Sequence, residues 1–205
     1  MIILMIGIKK EIKMGREAIL KSIKKNKPEL LPLPDINEEA FDESIDLIET
    51  FKSNIAIVGG TVREVDKETI DAEIKEQYPN KTNIISTTNK SILGTVQVDK
   101  STDPHNLENI DLAIIEGDLG VSENGAIWVT ANSSIIRVLP FITNDLVIIL
   151  EKEKIHLHML EAYDQIAQRD RNFGVFISGP SKTADIEQCL VVGAHGAMSL
   201  TVLLV

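Results

Sequence analysis

The chain has 205 residues, of which 43% are hydrophobic, 25% charged and 4% aromatic, and its formal net charge at pH 7 is −10. That length supports one well-buried core rather than two. The acidic balance excludes a protein that neutralises nucleic-acid phosphates with a basic surface. The charge is uneven: residues 1–27 carry eight Lys/Arg against two acids, a net of +6, so the remaining chain carries −16. Between Glu29 and Glu49 lie eight acidic residues and no basic one. Met1–Ile8 is apolar but lacks a basic flank and a small-residue cleavage site, and it is far too short to span a membrane. Cys189 is the single cysteine, so no intrachain disulfide forms and the chain alone cannot hold a cysteine-ligated iron–sulfur cluster. A cytoplasmic protein without membrane or nucleic-acid partners is expected.

Met14-Gly15-Arg16-Glu17 opens a helix running to about Asn26, with Ile19, Leu20 and Ile23 on one face. The first thirteen residues read either as native chain or as an extension upstream of Met14. Pro28, Pro32 and Pro34 stop the helix, which predicts an N-terminal arm and proline-rich tether over 1–34 and a main domain over 35–205. Asp35 is placed to cap a second helix, with Glu38 at capping-box spacing and Phe41, Ile45 and Ile48 on one face. A strand at Ile55–Val58 and a helix from Asp66 to Tyr78 follow. Further strands are expected at Asn83–Ser86, Leu112–Ile115, Ala126–Thr130, Leu146–Leu150, Val175–Ile177 and Leu200–Val205, with a helix at Lys154–Gln168. Continuous β-branched runs indicate strands buried on both faces of a mainly parallel sheet. Helices between them supply the crossovers. The expected fold is a single three-layer α/β/α domain with a mainly parallel sheet.

Three segments carry candidate chemistry. The first is the loop from Glu116 to Gly125. Glu123 is the candidate catalytic carboxylate, as nucleophile, general base or hydroxyl binder, with Gly120, Asn124 and Gly125 as ligand-binding positions. Asn124-Gly125 between apolar runs is equally a hairpin turn signal, and a turn can present Glu123 to a cleft. In the second, Gly179, Pro180, Ser181, Lys182, Thr183 and Asp185 form a turn leading from a strand toward a helix that ends near Leu190. This segment reads as an anion site at a helix N-terminus or as an ordinary capped helix. Asp185 and Glu187 in the first turn oppose an anion there. Third, His195 and Gly196 in Gly193-Ala194-His195-Gly196 form a loop in which the imidazole either carries a proton or bonds to backbone. Beyond-strand placement predicts that Glu123, Asn124, Ser181, Thr183 and His195 share one cleft at the carboxyl ends of the parallel strands. His156 and His158, two residues apart, make a poor metal pair on a helix, His105 lies in a solvated turn, and no cluster has zinc-ligand spacing, so no metal is predicted.

Gly179-Pro-Ser-Lys-Thr-Ala-Asp-Ile-Glu187 and Val192-Gly-Ala-His-Gly196 before a final Leu-Thr-Val-Leu-Leu strand resemble the signature of the LUD-domain family. Within it, the chain is similar to the C-component group of lactate-utilisation systems, and the likeness covers most of residues 14–205. It implies a fold like that of the CoA-transferases and sugar-phosphate isomerases. It also implies a part in oxidising L-lactate to pyruvate beside iron–sulfur-cluster-binding partner proteins, this chain being the accessory, cluster-free subunit. No cofactor is then expected on this chain alone beyond a small anion, and a homo-oligomer is possible. Ser122-Glu123-Asn124-Gly125 also resembles the Ser-Glu-Asn-Gly motif of class I CoA-transferases, which implies an acyl-transferring alternative with Glu123 as nucleophile. A small-molecule sensor is the third reading. Ala197-Met198 departs from the proline that commonly follows His-Gly in the LUD family.

Overall fold

The computed structural model describes residues 15–32, 34, 37, 45–168, 172–184 and 190–205. The chain divides into two units, Met1–Asp42 and Glu43–Val205. In the first, helix α1 (Arg16–Lys25) buries none of its residues, and Ile19, Leu20 and Ile23 are exposed. The helix expected to begin at Asp35 falls largely outside the described residues.

The body begins with α2 (Leu47–Ile57), whose cap is Asp46: its carboxylate accepts from the amides of Ile48 and Glu49 at 3.0 and 3.1 Å. This helix takes in Ile55–Ile57, where a strand is expected from the apolar run. Phe51 and Ile55, one turn apart, are fully buried, whereas Ile57 is 75% exposed. Short β-branched runs do not separate a strand from a buried helical turn, and the spacing of four decides here.

Strands β1 (Thr61–Glu64), β2 (Ile84–Ser86), β3 (Leu112–Glu116), β6 (Asp145–Leu150) and β11 (Ser199–Leu204) build the central sheet, and helix α3 (Ile70–Gln77) lies between β1 and β2 in the chain. Its five strands run in the order β1-β11-β6-β3-β2, all parallel. Side-chain alternation sorts this sheet into two faces. Leu112, Ile114, Val147, Ile149 and Leu203 pack with Ile70 and Ile74 of α3. Ala113, Ile115, Leu146, Ile148, Leu200, Val202 and Leu204 pack with Phe51 and Ile55 of α2. The expected α/β architecture, a mainly parallel sheet with helices on both faces, is the one observed.

A second sheet shares the α2 side. Strands β4 (Leu119–Val121), β5 (Ala126–Thr130), β7 (Ile155–His156) and β8 (Gly174–Ile177) run in the order β7-β4-β5-β8. Two of them, β5 and β8, are expected from their apolar runs to continue the parallel sheet. They instead pair antiparallel with each other, and β5 pairs antiparallel with β4. The physical reason is connection length: four residues join β4 to β5, and a parallel pair needs a crossover of about a dozen or more. Ile127 and Val129 face the central sheet, and the opposite face, with Leu119, Val121 and Ala126, packs on Ala162 of helix α6 (Met159–Ala167). Helix α6 therefore starts later than the expected Lys154, because Ile155 and His156 pair in parallel with Gly120 and Val121. Two short helices, α4 (Ala131–Ser134) and α5 (Leu139–Ile142), connect β5 to β6. Among the described residues, no helix is long and apolar enough to cross a membrane.

The last difference concerns the Gly-Pro-Ser segment. Residues Lys182–Ala184 form β9, paired antiparallel with β10 (Leu190–Val192), not the first turn of a helix. Ser181 fixes the hairpin's base, its amide donating to the Ala197 carbonyl at 2.8 Å while its own carbonyl accepts from the Gly193 amide at 3.0 Å. The anion site expected at a helix N-terminus is accordingly not formed in that way. Asp185, a candidate ligand-binding residue, lies with residues 186–189 outside the described chain.

Candidate functional site: a cleft at the amino ends of the central strands

The C-terminal turn of α2 is the anchor of the site. Gly179, at φ +76°, lies so close to it that an added Cβ would stand 2.5 Å from the Val58 carbonyl oxygen. Only glycine meets both demands at this position. The Lys182 ammonium crosses the same point and donates to that carbonyl, the favourable place for a cation at a helix C-terminus. Gly125, at φ +66°, makes the corresponding approach one turn earlier, beside the Ile55 amide. Asn54 completes this seam: its side-chain amide donates to the Ser122 carbonyl at 2.7 Å and to the Glu123 carbonyl at 3.2 Å. Ser178 Oγ donates to the Asn124 carbonyl at 2.9 Å. Two candidate loops are thus tied to each other and to α2.

Between this seam and α5 lies a cleft of about 240 Å³. Gly179, Pro180, Ser181 and Lys182 form one side, and His195 and Gly196 another. Six of the sequence-predicted site residues are therefore brought together. Gly196 approaches Ser181 so closely that a Cβ on it would lie 3.0 Å from the Ser181 Cβ. The floor is apolar: Leu146, Ala197 and Leu200 are buried, and Pro140, Phe141, Phe176 and Ile177 complete the lining. Pro140 and Phe141 precede β6, and His195–Ala197 precede β11. The cleft consequently opens at the amino ends of the parallel strands, not at their carboxyl ends as expected.

Gly120, Glu123, Asn124, Gly125 and Thr183 are not among the residues lining this cleft. Gly120 is buried within β4, where a Cβ would meet Leu150, Phe51 and Ile155 side chains at 2.8–3.3 Å, so its small size serves packing. Thr183 sits opposite Val191 in the hairpin. Asn124 Oδ1 accepts from the Ala126 amide at 2.9 Å and shapes the turn, which is a four-residue hairpin loop. Glu123 plays a structural part, its Oε2 accepting from the Met159 amide at 2.9 Å at the start of α6, with His158 Nδ1 3.8 Å away.

A charged cluster that no sequence motif marks occupies the carboxyl ends of β2, β3 and β6. Lys90 Nζ lies 3.0 Å from both Glu116 Oε2 and Glu151 Oε1, and Lys154 Nζ lies 3.0 Å from Glu151 Oε2. Thr88 Oγ1 donates to Glu116. Burial pushes the Glu116 carboxyl up, but Thr88 and Lys90 outweigh it and hold its pKa below the usual value. Burial likewise pulls the Lys90 ammonium down, and Glu151 and Glu116 more than restore it. Glu151 is held at about 2, by Lys90 first and then Lys154. The charges compensate one another, so the cluster is an internal ion network. Thr88 and Glu116 are 28 positions apart in the chain and Lys90 and Glu151 are 61 apart, so no local spacing announces them. Among the described residues no group of three His, Cys, Asp or Glu could hold a metal ion.

The mainly parallel sheet, the smaller sheet on one of its faces and the cleft beside α2 define an α/β domain with an amphipathic cleft at the strands' amino ends. The chain belongs to the LUD domain family, whose profile matches residues 6–205. It is similar to proteins named lactate utilization protein C. That of Bacillus subtilis (strain 168) is 31% identical over 105 residues, 48% of this chain and 43% of that protein. Its counterpart from Bacillus pumilus is 31% identical over 110 residues, 48% of this chain and 46% of that protein. That of Geobacillus thermodenitrificans is 25% identical over 174 residues, covering 79% and 70% of the two chains. The matches to the two Bacillus relatives span under half of their length. In fold, the chain is similar to a DUF162 family protein from Deinococcus radiodurans, with a TM-score of 0.62 at 17% identity over 77% of this chain and 95% of that one.

Proposed function

We propose that this chain is the cluster-free component of an L-lactate-oxidising system, and that it holds a small organic anion in the cleft without turning it over alone. The observation that carries this reading is that Ser181, Lys182 and His195 line one cleft whose floor is apolar. A lysine, a histidine and a serine on one cleft suit a carboxylate. The names of the relatives supply the metabolic setting, and the single cysteine agrees with electron transfer being left to iron–sulfur-cluster-binding partners. Titration of the full chain with pyruvate, lactate, phosphate and CoA, beside Ser181→Ala and His195→Ala, tests the site. Carboxylate binding in the wild type that falls several-fold in both variants supports the reading. Equal affinity in all three proteins, or none at millimolar concentration, removes it.

Acyl transfer through Glu123 is the second reading, favoured by one observation: the Ser122-Glu123-Asn124-Gly125 turn leaves the Glu123 side chain 51% exposed. Its engagement with the Met159 amide weighs against a free nucleophile. Incubation with acyl-CoA and hydroxylamine separates the two, because only a Glu123 anhydride or thioester yields a hydroxamate at that residue.

A further inference from the structure

We infer that the cleft selects an organic acid with a branched or aromatic body over lactate itself. This rests on the reading of the cleft as an organic-anion site and names the class of anion. The polar side chains among the lining residues are those of Ser181, Lys182 and His195. The rest of the lining is apolar: Leu146 is 1% exposed, Leu200 2% and Ala197 6%, and Pro140 and Phe141 line the same cleft. Ile177, which packs with the same core as Leu146 and Leu200, closes the lining at the end of β8, while the Phe176 ring turns to the α6 side against Trp128 and Tyr163. Lys182 spends one N–H on the Val58 carbonyl and an ammonium has three, so it can reach a ligand carboxylate without leaving α2.

A three-carbon hydroxy acid bound by its carboxylate to these polar residues offers the apolar lining a single methyl group. The cavity of about 240 Å³ then keeps most of its apolar surface in contact with water. Each further methylene laid on that floor strengthens binding by about fourfold. A 2-hydroxy or 2-oxo acid with an isobutyl or benzyl side chain covers more of the apolar lining, and at least tenfold tighter binding than lactate is expected. Specific pockets combine apolar walls with a few placed polar groups in this manner.

The full chain is titrated with L-lactate, 2-hydroxy-4-methylpentanoate and 3-phenyllactate by isothermal titration calorimetry. The two bulky acids are expected to bind at least tenfold more tightly than lactate. Ala197→Leu, which fills the floor, is expected to remove that preference. Phe141→Ala lies at the exposed rim, keeps the test alive if the floor variant does not fold, and is expected to weaken 3-phenyllactate several-fold. Lactate binding as tightly as the bulky acids overturns the inference and leaves the anion reading standing. Bulky acids that bind equally well to wild type, Phe141→Ala and a folded Ala197→Leu also overturn it, because they then bind elsewhere. Failure of every acid to bind at millimolar concentration removes both.

Discussion

Replacing Glu123 with alanine separates a structural carboxylate from a chemical one. In the folded chain Glu123 Oε2 takes the hydrogen bond of the Met159 amide at 2.9 Å, one of the amides at the start of α6 that lack an intrahelical partner. Loss of such a cap costs about 1 kcal/mol, within a range of roughly 0.5–2. The His158 contact at 3.8 Å adds little, because the Glu123 side chain is 51% exposed and exposed pairs contribute at most about 1 kcal/mol. The turn itself stays anchored, since Asn54 holds the backbone carbonyls of Ser122 and Glu123 and not the carboxylate. For a body of this size, about 1 kcal/mol lowers the melting temperature by about 2–4 °C. Differential scanning calorimetry of Glu123→Ala and Glu123→Gln checks it, with the glutamine variant closer to wild type because its side-chain oxygen still accepts. Unchanged melting in Glu123→Ala, together with loss of ligand binding or of a covalent acyl adduct, refutes the capping account and restores Glu123 to the chemistry.

Gly179→Ala meets both a positive φ and the Val58 carbonyl 2.5 Å from its new Cβ. The backbone conformation alone costs about 1–2 kcal/mol, so urea denaturation is expected to show at least that loss, accompanied by weaker anion binding as Lys182 is displaced; a neutral outcome contradicts the seam between α2 and this turn. The acid limb of stability reports on the ion network. Glu151 is depressed from 4.5 to about 2 and Glu116 is shifted the same way, so their contribution is complete above the ordinary carboxylate value and is lost as pH falls toward 2. The urea midpoint should decline through that window and do so less steeply in Glu151→Gln, and an identical slope in both proteins rules the network out as a source of acid sensitivity.

Strands β3, β6 and β11 were legible because each is a continuous run of buried β-branched and leucine side chains, as a central parallel strand requires. The same signal misassigns Ile55–Val58, since a short apolar run also serves as the last turn of a buried helix. It cannot tell β5 and β8 from strands of the main sheet either, because a short apolar run looks alike whichever sheet supplies the neighbours. The hairpin loop 122–125 was visible in Asn124-Gly125, and the partner of its glutamate was not, because Met159 lies 36 positions away. For the Gly-Pro-Ser segment, cap-forming residues suggested a helix. The Ser181 bonds to residues 193 and 197 instead hold it extended, a tertiary effect without local trace. The residue types of the cleft's polar mouth stood out in the sequence, but its apolar floor did not. Pro140, Leu146 and Leu200 look like any other core positions until β6 and β11 lie side by side.

Growth is the most direct test of a role in lactate oxidation. Deleting the gene in its own host, with growth followed on L-lactate and on pyruvate as sole carbon source, asks whether the chain is needed before pyruvate is formed. The account predicts loss of growth on L-lactate alone, restored by the wild-type chain and poorly by a Ser181→Ala, His195→Ala double variant that accumulates to wild-type level. Undiminished growth on L-lactate in the deletion strain, or equal loss on both carbon sources, would contradict it.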